Sequence, residues 1–168
     1  VDSSGQLSFY ATSGGEDAKL LLHFDGADGS QVFTDSSPNT KTVTATSTAQ
    51  IDTAFTKFGT GSGLFNGSSD YIETASSTDF DFGTADFTMD FWFMRNGVAG
   101  SGNHYFYDRH NGSNDGLSFY YSDPGYGTAF NISVNASLVK SWSYTPTIGD
   151  WYHIALVKSS GVYQLYIN

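Results

Sequence analysis

The stretch Phe80-Asp81-Phe82-Gly83-Thr84-Ala85-Asp86-Phe87-Thr88-Met89-Asp90-Phe91-Trp92-Phe93 decides the fold class. Gly83 supplies a turn and Asp86 its polar shoulder. Beyond them Phe87, Met89, Phe91 and Phe93 alternate with Thr88, Asp90 and Trp92. Successive side chains of a strand point to opposite faces, so this pattern predicts a strand with one apolar face on a core. A helix would scatter the same apolar residues around its circumference.

A second pattern stands near the end, Trp151-Tyr152-His153-Ile154-Ala155-Leu156-Val157-Lys158, then Ser159-Ser160-Gly161, then Val162-Tyr163-Gln164-Leu165-Tyr166-Ile167-Asn168. Two aromatic and β-branched runs joined by a short turn predict a hairpin. It is expected to pair with the strand at 87–93 or with that strand's neighbours. Further strands are expected at Leu20–Phe24, Thr42–Ile51, Tyr105–Asp108, Gly116–Tyr121, Phe130–Val134 and Leu138–Tyr144, with Asn111-Gly112 as a hairpin signal between the third and fourth of these. Roughly ten short strands without a convincing helix call for two packed antiparallel sheets. Residues 1–17 read as a linker or the end of an upstream region, with Leu7–Ala11 a short strand between Ser/Gly-rich flanks. Residues 18–168 read as one domain. The glycines of Phe58-Gly59-Thr60-Gly61-Ser62-Gly63 lack the Lys-Ser/Thr ending of a phosphate loop, so a turn or bulge is expected there.

Composition narrows the function. A net charge of −10 disfavours nucleic acid and anionic membranes as partners, because both need clustered Lys and Arg. No apolar run is long enough to span a bilayer as a helix, so membrane insertion is not expected. Cysteine is absent, which excludes disulfides, thiolate metal sites and cysteine nucleophiles.

Together with the two aromatic patterns, Leu20-Leu21-Leu22-His23-Phe24-Asp25-Gly26, Phe58-Gly59, Leu64-Phe65-Asn66-Gly67 and Asp70-Tyr71-Ile72 carry a family likeness. The chain resembles a laminin-G-like, concanavalin A-like lectin/glucanase jelly-roll domain of the kind found in phage virion and secreted bacterial proteins. The resemblance covers nearly all of residues 18–168. It implies an all-β, two-sheet antiparallel jelly-roll sandwich. Relatives continue past a Tyr-Ile-Asn such as that at 166–168 into further strands, so the resemblance also implies that the domain is incomplete at its C-terminus. It further implies a non-enzymatic virion or surface-exposed module, of phage tail-fibre, appendage or capsid-decoration type, that binds glycan or serves structural display. The alternative is a carbohydrate-binding module of a secreted glycoside hydrolase or an adhesin. The expected partners are glycans or host-surface polysaccharide and other virion or surface-protein subunits. The expected location is the virion, or the extracellular space or cell surface.

Glucanases of this architecture set two glutamates and an aspartate alternately on one strand. Here the comparable strand offers Asp90 alone, and Glu16 and Glu73 sit in no such pattern, so no enzyme is expected. His23, His104, His110 and His153 lie apart, and no serine has a nucleophile-elbow context. Calcium is the candidate cofactor: Asp25, Asp28 and Asp35 share one early loop, and the resemblance implies a structural calcium near the rim. Turn stabilisation is the competing role for the same carboxylates. Sugar recognition pairs aromatic faces with hydroxyl and amide groups. That chemistry singles out Tyr126 in a glycine-rich turn, Trp142 and Tyr144 at shared strand parity, and Arg109 with Asn111 in a loop. Four Asn-x-Ser sequons, at Asn66, Asn111, Asn131 and Asn135, are compatible with chance in so Asn- and Ser-rich a chain.

Overall fold

The computed structural model describes residues 7–11, 18–97, 102–109, 116–123 and 127–168. Among them are fourteen strands: β1 (Leu7–Ala11), β2 (Ala18–Leu22), β3 (Phe33–Thr34), β4 (Thr42–Thr46), β5 (Gln50–Asp52), β6 (Ser62–Leu64), β7 (Tyr71–Thr74), β8 (Phe87–Met94), β9 (Asn103–Asp108), β10 (Leu117–Ser122), β11 (Ala129–Val134), β12 (Ser137–Ser143), β13 (Trp151–Ser159) and β14 (Val162–Ile167). A single turn of 3-10 helix spans Thr78–Phe80, and no described residue is α-helical. The sequence suggested fewer strands because β3, β5 and β6 are too short to display an alternation. The chain forms two compact units, Val1–Met94 with Trp151–Asn168, and Arg95–Asp150.

The first unit holds a five-stranded sheet in the order β14-β13-β8-β1-β2, a three-stranded sheet β3-β4-β7 and the pair β5-β6. All its strand pairs are antiparallel. The alternation read at 87–93 is realised in β8: Phe87, Met89 and Phe91 are buried, whereas Phe93, near the strand's end, is half-buried. Strand β13 pairs with β8 from Trp151↔Met94 to Lys158↔Phe87, setting buried Ile154 and Leu156 beside Phe91 and Met89. Each large apolar side chain so buried contributes about 1.5–3 kcal/mol.

The expected hairpin is β13–β14. Its two-residue turn has Ser160 at φ 50 and Gly161 at φ 78, the left-handed pair that matches strand twist. Asp86 accepts a hydrogen bond from the Ser160 N–H at 2.8 Å, and the buried Lys158 ammonium donates to the Gly83 carbonyl at 2.7 Å. The turn before β8 is thereby fastened to the hairpin turn.

The strand expected at Leu7–Ala11 is β1, which lies between β2 and β8 with Phe9 opposite both Leu20 and Met89. Another element differs from expectation. The single strand expected over Thr42–Ile51 is two, β4 and β5, separated at Ser47 with φ 62. Asp70 holds that corner, taking hydrogen bonds from the Thr48 N–H and hydroxyl and from the Asn66 N–H. Gly61 of the glycine-rich stretch is a site of close approach. A Cβ on Gly61 would lie 2.6 Å from Ile51 Cγ2 and 2.7 Å from the Phe24 carbonyl oxygen.

The second unit is a four-stranded antiparallel sheet ordered β12-β11-β10-β9. One face is aromatic: Phe119, Tyr121, Phe130 and Ile132 are buried, and the Phe106 ring lies 5.5 and 5.9 Å from those of Phe119 and Phe130. The β11–β12 turn uses Asn135 at φ 53 and Ala136 at φ 57. Asn135 is anchored to Gly116, whose carbonyl accepts its N–H and whose N–H donates to Asn135 Oδ1. Ala136 has no such help, and a left-handed backbone costs an L-residue roughly 1–2 kcal/mol. Ala136→Gly is therefore expected to stabilise the protein by about 1 kcal/mol, read as a higher urea midpoint with an unchanged slope. An unchanged or lower midpoint would show that the turn carries no strain.

Candidate functional site

The three acidic residues expected to bind calcium each serve a different piece of backbone. Asp25 Oδ1 accepts from the Thr60 N–H and hydroxyl, and these bonds, the backbone one foremost, lower its pKa. Asp28 Oδ1 accepts from Thr53 N–H and hydroxyl. Asp35 is buried, which alone would raise its pKa, but four donors outweigh burial and lower it: the Ser37, Leu21 and Lys41 N–H groups and the Ser37 hydroxyl. Among the described residues no group of three or more His, Asp or Glu is placed to hold a metal ion. Asp79 is paired with Lys41 at 2.8 Å, and Asp86 holds Ser160.

A carboxyl whose folded pKa is depressed contributes stability above its unfolded value, near 3.9, and loses it as pH falls through the folded value. Asp35→Asn is expected to cost about 2–3 kcal/mol at pH 7, since an amide cannot accept at both oxygens. The gap between variant and parent in chemical denaturation should shrink below about pH 4. A constant gap would place the cost elsewhere.

Of the residues expected to touch sugar, Tyr126 and Asn111 lie outside the described residues. Arg109 closes the β9–β10 pairing through its N–H to the Leu117 carbonyl. Trp142 stands opposite buried Phe130, and the Tyr144 ring lies 6.4 Å from that of Phe130. Both therefore belong with the aromatic face of the four-stranded sheet, Trp142 half-buried and Tyr144 36 % exposed. Trp92 is covered as well: the Phe58 ring meets it edge-on at 5.6 Å and the Lys57 ammonium sits 4.2 Å above it. His153 is beside it, 3.8 Å from Asp90, the one carboxylate of that strand.

The opposite face of the four-stranded sheet carries aromatic, hydroxyl and amide groups. Cross-strand pairing sets Tyr105 beside Tyr120, Asn103 beside Ser122 and Asp108 beside Ser118. The Tyr105 and Tyr120 rings are 5.1 Å apart, and Tyr105 is 54 % exposed. Beside them on the same face runs a chain of amide and hydroxyl groups. Asn131 Nδ2 donates to Ser122 Oγ at 2.9 Å, and Ser122 Oγ donates to Asn103 Oδ1 at 2.8 Å. Tyr120 and Ser133 share a hydroxyl–hydroxyl bond at 3.2 Å, and Ser118 Oγ donates to Asp108. Ser122, Asn131 and Ser133 are buried, while Asn103 and Asp108 at the strand ends are exposed. The result is an exposed ring beside hydrogen-bonded polar groups, the pairing that suits a pyranose with its C–H face and hydroxyl rim.

One end of the sheet is pinned by a buried ion pair. Arg95 Nη2 donates to Asp123 Oδ1 at 2.6 Å, with side chains 9 % and 2 % exposed. His104 Nε2 is 3.3 Å from the other Asp123 oxygen, and the Arg95 guanidinium lies over the Tyr121 ring. Burial raises the Tyr121 phenol's pKa, with Asp123 adding to the rise and Arg95 opposing it. Asp123→Ala would strand the arginine, at a cost of about 3–5 kcal/mol in thermal or chemical unfolding. A loss below 1 kcal/mol would mean that the pair is solvated.

Two sequence signals for the face were present in Tyr105 and Tyr120. What hid their proximity is a register shift in the β9–β10 pairing between Phe119 and Tyr120. A family model, Laminin_G_3, described as the concanavalin A-like lectin/glucanases superfamily, matches residues 66–168. No curated protein and no solved structure matches the chain.

Proposed function

The chain belongs to the concanavalin A-like lectin/glucanase superfamily, whose fold is the all-β jelly-roll sandwich, and from that premise we propose that it is a non-catalytic glycan-binding module. The observation that carries the proposal is the Tyr105–Tyr120 pair, one ring exposed, beside the Asn131–Ser122–Asn103 hydrogen-bond chain on the same face. The ring takes the apolar face of a sugar. Asn103, Asp108 and Ser118 offer polar groups to hydroxyls further along the same face. Two features support a binding role over hydrolysis. Glycoside hydrolysis uses two carboxyl groups about 5–9.5 Å apart across the scissile bond. Asp90 is the sole carboxylate on its strand, and its neighbour on that face is a covered tryptophan.

In its setting the module is read as part of a virion or cell surface, of tail-fibre, appendage or decoration type. Its acidic charge and its likeness to such domains support that reading. The same face would serve equally on a secreted hydrolase or an adhesin.

A glycan array followed by calorimetry on the best ligand tests the proposal. Tyr105→Ala is expected to weaken binding about tenfold, or 1.4 kcal/mol, without a change in melting temperature. Trp142→Ala is expected to leave affinity within about twofold, an effect under 0.5 kcal/mol. Binding that ignores Tyr105, or no binding to any arrayed glycan, would sink it.

A further inference from the structure

The polar face is long enough for more than one sugar residue. Asn103 and Asp108 bound β9, and at about 3.3 Å per residue the strand runs roughly 17 Å between them. Tyr105 stands about 10 Å from Asp108 along the same strand. A ring resting on Tyr105 and a group at Asp108 therefore belong to different residues of an oligosaccharide.

Charge selects among such oligosaccharides. Asp108 is exposed, Ser118 donates to one of its oxygens, and Oδ2 has no partner among the described residues. The basic residues of the unit are Arg95, Arg109 and Lys140. Arg95 is held by Asp123, and Lys140 stands opposite Ile132 of the aromatic face. Arg109 follows Asp108 directly and so is out of phase with it along the strand direction. The whole chain carries a net charge of −10, so a uronate or sulfate ester would approach against the field.

We infer that the ligand is a non-acidic oligosaccharide lying along β9, with the ammonium of an amino sugar at Asp108 and a neighbouring ring on Tyr105. The inference rests on the glycan-binding reading of this face. An exposed carboxylate–ammonium pair is a modest contact, about threefold to fivefold in affinity, and it weakens with salt.

Calorimetry with three trisaccharides separates the possibilities: the fully deacetylated glucosamine trimer, the N-acetylglucosamine trimer and the galacturonic acid trimer. The parent protein is expected to prefer the glucosamine trimer about threefold to fivefold over its acetylated form and to bind the galacturonate trimer weakest. Asp108→Asn should erase that preference while leaving the acetylated trimer within about twofold, and raising NaCl from about 50 to 500 mM should shrink it in the parent. Tyr105→Ala should weaken both glucosamine-based trimers alike.

Equal affinities, a preference that survives Asp108→Asn, or a galacturonate preference lost in Arg109→Ala would overturn the inference. In each case a Tyr105→Ala loss would leave the glycan-binding reading standing. A glucosamine trimer that does not bind the parent overturns the inference also, and Tyr105→Ala without effect on any trimer overturns both.

Discussion

The register of β8 is the constraint on which the first unit depends. A one-residue slip would exchange Phe87, Met89 and Phe91 for Thr88, Asp90 and Trp92 on the core face. The strand cannot slip independently, because β1 and β13 are both bonded to it. Their partners repeat the alternation, and the Asp86–Ser160 and Lys158–Gly83 bonds fix the two turns at its start. Hydrophobic burial chooses the face, and hydrogen bonds to turn backbone choose the residue at which the face begins.

The second unit uses a different economy of polar groups. Its aromatic face is built of rings in mutual contact, and the opposite face is built of small amides and hydroxyls that satisfy one another. Buried Asn131 and Ser122 would be costly without partners. Because their partners lie within the sheet, these polar groups are held in place by the sheet itself.

What could be read in the sequence was local. The alternation of β8 and the Ser-Ser-Gly turn of the final hairpin depend on neighbours in the chain, and both were legible. The break at Ser47 was not, because the carboxylate that stabilises it is Asp70. Trp142 and Tyr144 illustrate a second limit: parity says that two residues share a face but not which face, and Phe130 settled that from the adjacent strand. The Tyr105–Tyr120 pair required a cross-strand register altered by an irregularity, and the Arg95–Asp123 pair required a contact between distant turns. Of the candidate site the residue types were visible and the juxtaposition was not.

The second unit leaves the first after Met94 and returns at Trp151, and these two residues are direct partners in the β8–β13 ladder. Topologically, Arg95–Asp150 is an enlarged loop on a hairpin-like pair of strands. The entropic cost of closing such a loop grows only with the logarithm of its length, about 0.6 kcal/mol per doubling. Insertions, deletions and wholesale sequence drift in Arg95–Asp150 therefore place little thermodynamic load on the five-stranded sheet. The polar face that carries Tyr105 and Tyr120 lies within this loop, so a change of its residues leaves the β8–β13 ladder as it is.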